Sequence, residues 1–277
     1  LKLNARSMNV RELQRGLEYS SAGPFDDLAS LQARLSWLTL QMLLPKTAPS
    51  EEKFHQSRVG LRIDAIENYV RGLLAATPES RERFFQQAVK LEPLHSQAAF
   101  QYGKLLFEKG SHPAAIAQLE KVQTWDSHYR EAGFLLGLAK FYHSDLRGAE
   151  AAFKRVASEL PLSEVFNNLG LTQLRLKSPA ALETLRRALD GDDKDPVFHY
   201  NYGLALLRRG ANAEAADQFR AVLAREPGDQ DATKMLGRSL KPPPTPVEDA
   251  SSMGRLKFEM AEAAYWQLKA LMSRKSK

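Results

Sequence analysis

Chemistry in this chain would have to come from six histidines and one acidic run. His55, His95, His112, His128, His143 and His199 are scattered, with no two at the helical spacings that put a pair of metal ligands on one face. Cysteine is absent, which excludes thiolate zinc sites, iron–sulfur centres, disulfides and cysteine nucleophiles. The run Asp190-Gly191-Asp192-Asp193-Lys194-Asp195 has the outline of a calcium loop, yet Asn201 stands where such a loop needs its bidentate glutamate. A solvated loop in which Asp195 caps the next helix explains it better. His199 lies between apolar neighbours, where packing or capping accounts for it. No GxSxG, HExxH, Walker or GxGxxG spacing occurs. The chain is therefore not expected to be an enzyme, and no cofactor, metal or small-molecule substrate is expected.

Groups suited to binding are better represented. Asn167, Asn168 and Asn201 stand in helical stretches, where a carboxamide brings no propensity benefit. Each can hydrogen-bond both edges of a peptide backbone. The 277 residues are 43% hydrophobic and 26% charged, enough for a sizeable core in one or two domains. The net charge of +6 is spread along the chain, and only Arg186-Arg187, Arg208-Arg209 and Arg274-Lys275 cluster. Nucleic-acid binding would gather the basic residues on one face, so no nucleic acid is expected as a partner. The longest apolar run, Leu38 to Leu44, is broken by Thr39 and Gln41, far short of the roughly 20 residues of a membrane span.

The elements that position these residues are repeats. Glycines preceded by a bulky residue recur at Gly103, Gly137, Gly170, Gly203 and Gly237, spaced 34, 33, 33 and 34 apart, with Gly72 a further 31 upstream. After each comes a small residue, then an apolar one four later: Ala115 and Leu119, Ala149 and Phe153, Ala181 and Leu185, Ala215 and Phe219. Pro161 and Pro227 complete two units; Arg81 replaces the alanine of the first, with Phe85 and Pro93 in place. Glycine inside a helix costs about 1 kcal/mol against alanine, a cost that close contact between paired helices offsets. Ser111, Ser163, Ser178, Asp195 and Asp229 are expected at helix starts, with Pro179 and Pro196 as first helical residues.

This pattern resembles the tetratricopeptide repeat (TPR) family, whose unit is a helix–turn–helix of about 34 residues. The resemblance covers residues 62–241 and implies a mainly all-α chain: a right-handed α-solenoid of about five units, closed by a charged capping helix from Asp229 to Lys241. It also implies a concave groove lined by the first helices, where extended peptides or partner helices lie. Counted from the glycines, the groove set is Tyr69, Phe100, Gln101, Lys104, Phe107, Phe134, Leu138, Phe141, Asn167, Asn168, Leu171, Tyr200, Asn201, Leu204, Lys234 and Arg238. Leu138, Leu171 and Leu204 could equally be core. The positions matching the basic clamp that grips chaperone tails in one branch of the family hold Tyr69, Leu73, Gln101, Glu131 and Leu135, so that mode is rejected. A protein or peptide partner is expected.

The flanks are different. Residues 1–45 read as a β-hairpin plus helix, with Leu28, Leu31, Leu35, Leu38 and Met42 as the helical stripe. They resemble the closing strands and last helix of a TolB-type amino-terminal (FlgO-like) domain. The chain opens Leu1-Lys2-Leu3 and is expected to be a piece of a larger bacterial regulatory or envelope protein. Residues 46–61 read as a polar linker and 242–252 as a proline-rich one, able to span about 35 Å. Residues 253–274 read as an amphipathic helix with Leu256, Met260, Ala264, Leu268 and Leu271 as its stripe, joined by Trp266 and Met272. That helix could dock on this chain, pair with another chain, or lie on a membrane, the last disfavoured by Glu259 and Glu262. The rival to partner binding is a purely structural module whose groove the helix fills, with any enzymatic activity in upstream sequence.

Overall fold

The computed structural model describes residues 1–9, 14–24, 27–43, 48–56, 62–241 and 254–275. They fall into two compact units, Leu1–Tyr102 and Gly103–Lys277. In the first, strands β1 (Lys2–Asn9) and β2 (Gln14–Ala22) pair antiparallel, from Lys2 opposite Ala22 to Arg6 opposite Glu18, with an irregularity before Met8. Helix α1 (Leu28–Leu43) packs on both strands and buries Leu31. A short helix, α2 (Glu51–Gln56), lies in the stretch expected as a linker. Two glutamates in its first turn suit the positive end of the helix dipole, and the Ser50 hydroxyl accepts from the Lys53 amide.

The remaining helices come in pairs. Helix α3 (Ile63–Leu74) pairs with α4 (Pro78–Leu91), and α5 (Ser96–Glu108) leads into the second unit, where it is followed by α6 (His112–Leu119). Next come α7 (Tyr129–Tyr142) with α8 (Leu146–Glu159), α9 (Ser163–Arg175) with α10 (Ala181–Gly191), and α11 (Pro196–Arg209) with α12 (Asn212–Arg225). Helix α13 (Gln230–Ser239) follows α12. In the second unit α7, α9, α11 and α13 touch in succession, so the pairs stack as an α-solenoid.

The contact that sets each pair is the one the spacing implies. A Cβ on Gly137 would lie 2.6 Å from the Phe153 ring, and one on Gly170 2.6 Å from Leu185. Gly72, Gly103 and Gly203 face Phe85, Leu119 and Phe219 in the same way. Each partner is the apolar residue four after the small one, or after Arg81 in the first pair. Gly237 departs from the rule: nothing stands within 4 Å of its missing Cβ.

Helix starts follow the sequence unevenly. Asp195 and Asp229 accept amides from Val197 and Ala232, both at 2.9 Å. Ser111 holds the cap position of α6 without a side-chain bond, and α9 starts from Leu162 with Ser163 already inside it. Ser178 accepts from the Ala180 amide at 3.3 Å, in the turn before α10. The largest correction is at the carboxyl end. Gly254–Ala261 is extended and only Glu262–Lys275 is helical (α14). The polar backbone groups of Arg255 and Lys257 bond to side chains of the solenoid, which removes the need for helical hydrogen bonds there. Leu256 and Met260 thus leave the expected helical stripe, and the Leu268, Leu271 and Met272 side chains lie outside the described residues.

Gly137→Leu should destabilise by about 1–3 kcal/mol through overpacking against Phe153. Gly237→Ala should instead stabilise by up to about 1 kcal/mol, since the helix gains propensity and nothing is displaced. Thermal melting of the two variants checks both signs.

Candidate peptide-binding groove

Asn167, Asn168 and Asn201 are completely buried on α9 and α11. Asn201 accepts from the Arg255 amide (2.9 Å) and donates to the Arg255 carbonyl (2.7 Å). Asn168 treats Lys257 identically, accepting from its amide at 2.8 Å and donating to its carbonyl at 2.7 Å. Asn167 stands between them: it donates to the Arg255 carbonyl (3.0 Å) and to Asn168 (3.1 Å), and accepts from Asn201 (2.7 Å). The three carboxamides form one connected network, with two of them reading both backbone groups of a ligand residue.

Charged side chains lie beside this ladder. Arg255 forms a two-pronged ion pair with Asp229 at 2.6 and 2.8 Å, its guanidinium 3.7 Å above the Tyr200 ring. Lys257 pairs with Asp195 and lies 5.3 Å from the Phe198 ring. The bond from Arg255 holds the Asp229 carboxyl below its ordinary value, outweighing its burial. Burial works against the Arg255 charge, and the carboxylate more than compensates, leaving the guanidinium above its ordinary value. Burial pushes the Tyr200 hydroxyl up to about 12, so the ring beneath the cation stays a neutral phenol. Further along, Phe258 stacks on Tyr142 with ring centres 6.4 Å apart, and Glu262 accepts from Arg130 at 2.6 Å. The tail therefore runs opposite to the order of the repeats, from α13 and α11 toward α7.

The expected groove residues divide accordingly. Asn167, Asn168, Tyr200 and Asn201 touch the tail, and Leu171 fills the space a side chain on Gly254 would need. Leu138 and Leu204, its equivalents in the neighbouring repeats, are equally buried. Lys104 pairs with Glu131 at 2.9 Å and, with Phe107, Phe134 and Met260, borders a hollow of about 550 Å³ beside the tail. Phe134 is otherwise core, edge-on to Phe153, and Phe141 lies under the Arg175 guanidinium. Lys234 and Arg238 make no bond to the tail among the described residues. Tyr69, Phe100 and Gln101 belong to the first unit; there Tyr69 packs against Phe85 and His95, Phe100 is buried and Gln101 half-buried.

Asp195 and Asp229 were expected only as caps, and Phe198, Tyr142 and Arg130 not at all. Their 34-residue separation is the signal that marks the two aspartates as equivalent. The acidic run itself bonds inward: Asp192 accepts from the Lys194 amide, and the Asp193 carbonyl faces His199 and Arg225. No cluster of three potential metal ligands exists among the described residues, and none of the described helices is long and apolar enough to cross a membrane.

Asn201→Ala removes both bonds to the Arg255 backbone, so exchange of that amide should quicken by about 10- to 100-fold while α11 stays protected. Hydrogen exchange read by NMR checks this. Because the folded-state pKa of Asp229 is depressed, its ion pair contributes fully above the ordinary carboxylate value of 3.8 and is lost as pH falls through the lowered one. The amide resonance of Arg255 should stay put from neutrality to about pH 5 and shift only below about pH 4.

Comparison with known proteins agrees with this geometry. Residues 65–128 and 175–232 match the tetratricopeptide repeat family model. The chain is 30% identical over 192 residues, 63% of its length, to cellulose synthase operon protein C of Salmonella typhimurium, and spans 16% of that protein. Among solved structures, MamA from Desulfovibrio magneticus RS-1 aligns with a TM-score of 0.52 at 19% identity, covering 61% of this chain and 99% of the other. A second MamA crystal structure gives 0.54 at 21% identity, over 59% and 92%. At such identities the likeness is one of fold. The matched residues are tetratricopeptide repeats, and the helix pair between them shares their glycine contact and their fold.

Proposed function

We propose that this chain is a non-catalytic scaffold that takes a protein partner as an extended peptide in the groove of its repeats. The observation that carries the reading is the paired engagement of backbone N–H and C=O by Asn168 and Asn201. Such contacts select an extended chain, and they demand no folded surface from the partner. The local similarity to a much longer bacterial protein supports a place within a larger bacterial regulatory or envelope protein. The order β1, β2, α1 in the first unit fits the closing elements of a TolB-type (FlgO-like) domain.

A second reading has an observation of its own: the segment in the groove belongs to this chain, as a structural plug would. Removing residues 253–277 separates the two. The scaffold reading expects the truncated chain to melt within a few degrees of the intact one and to bind a synthetic peptide of residues 251–261, with Asn168→Ala and Asn201→Ala together abolishing that binding. A plug predicts a large loss of stability. A folded truncated chain that ignores the peptide would overturn the scaffold reading.

A further inference from the structure

The asparagines determine where a ligand backbone lies, and the sockets beside them determine which side chains it must carry. Asn168 and Asn201 each stand two residues before the glycine of their helix, Gly170 and Gly203, so they are equivalent positions of successive repeats. Asp195 and Asp229 are equivalent too, each capping an odd-numbered helix. At Asp195 one carboxylate oxygen accepts the cap amide and the other faces Lys257; at Asp229 the capping oxygen also takes one prong of Arg255 and the second oxygen takes the other. The residue read by Asn201 puts its side chain on Asp229, and the residue read by Asn168 puts its side chain on Asp195. One repeat thus corresponds to two ligand residues, the interval at which side chains of an extended chain return to the same face, about 7 Å apart.

The sockets are selective. A planar guanidinium matches the two-pronged Asp229 with the Tyr200 face beneath it; an ammonium suits Asp195 beside Phe198. A Cβ on the residue before the arginine would collide with Leu171, which is itself fully buried. The residue after the lysine meets the Tyr142 face. One repeat earlier and one later, the positions of the asparagines hold Leu135 and Met235, so the ladder has two rungs.

We infer that the groove is specific for partner proteins presenting an extended Gly-Arg-x-Lys-aromatic segment, of which residues 254–258 are the chain's own copy, and that a partner enters by displacing that copy. This rests on the peptide-binding reading above. In the full-length chain, Arg255→Glu with Lys257→Glu sets the tail against Asp229 and Asp195 and opens the groove. A labelled peptide of residues 251–261, followed by fluorescence anisotropy, should bind this variant at least about tenfold tighter than the unsubstituted chain. Replacing the peptide's arginine or lysine by alanine, or its glycine by valine, should each weaken binding by about tenfold or more. Equal binding of a peptide with both cations replaced by alanine overturns the specificity and leaves the peptide-binding reading standing. Failure of every peptide to bind the folded variant overturns both. Should the variant not fold, Asp195→Asn with Asp229→Asn keeps a capping oxygen and removes the charge. Exchange of the Arg255 and Lys257 amides should then quicken by about tenfold or more, and unchanged exchange sinks the inference.

Discussion

Everything in the repeats depends on how closely two helices of a pair approach at one glycine. Where Gly72, Gly103, Gly137, Gly170 and Gly203 lack a side chain, a Phe or Leu from the second helix occupies the space. Interiors pack at crystal-like density, so this single contact sets the distance within each pair. In the second unit the pairs stack so that α7, α9, α11 and α13 adjoin one another. A residue at a given offset from the glycine then recurs at a regular interval along the groove. Asn168 and Asn201 stand two residues before the glycine and the capping aspartates eight before it, and both pairs inherit that regularity.

A repeat that advances by two tail residues converts an internal periodicity into a reading frame for the backbone of Arg255 to Lys257. Extended peptide and solenoid are commensurate, so one pair of residue types, placed once per repeat, serves the ligand's backbone and its side chain together. The aspartates contribute twice. A cap needs one acceptor oxygen and a carboxylate has two, which lets a residue used to start a helix also hold a cation.

Local conflicts mark where the solenoid receives the tail. Three carboxamides inside helices add nothing to helix propensity or to the core. The glycine–apolar contacts satisfy the fold, whereas these residues are satisfied only when a second strand of chain arrives. Asn167 illustrates the difference, since it bonds sideways to both neighbouring asparagines and so aligns them for the ligand.

The sequence alone determined the helix pairs, their phasing and the close contact at the glycines, because these depend on contacts within one repeat and recur every 33 or 34 residues. It also singled out Asn167, Asn168 and Asn201, whose chemistry fits neither core nor solvent. Only the tertiary structure decided what happens to residues 254–261. Leu256, Met260 and Ala264 are spaced as a helix stripe, yet the first two lie in extended chain, because side chains 54 to 89 residues away capture the backbone groups of Arg255 and Lys257. Local pattern records what a segment does with its neighbours in the chain; a segment whose hydrogen bonds are all supplied from elsewhere leaves no such record. The same reason hid the second role of Asp195 and Asp229, visible as caps from the residues beside them and as cation sockets only once the tail lay across them.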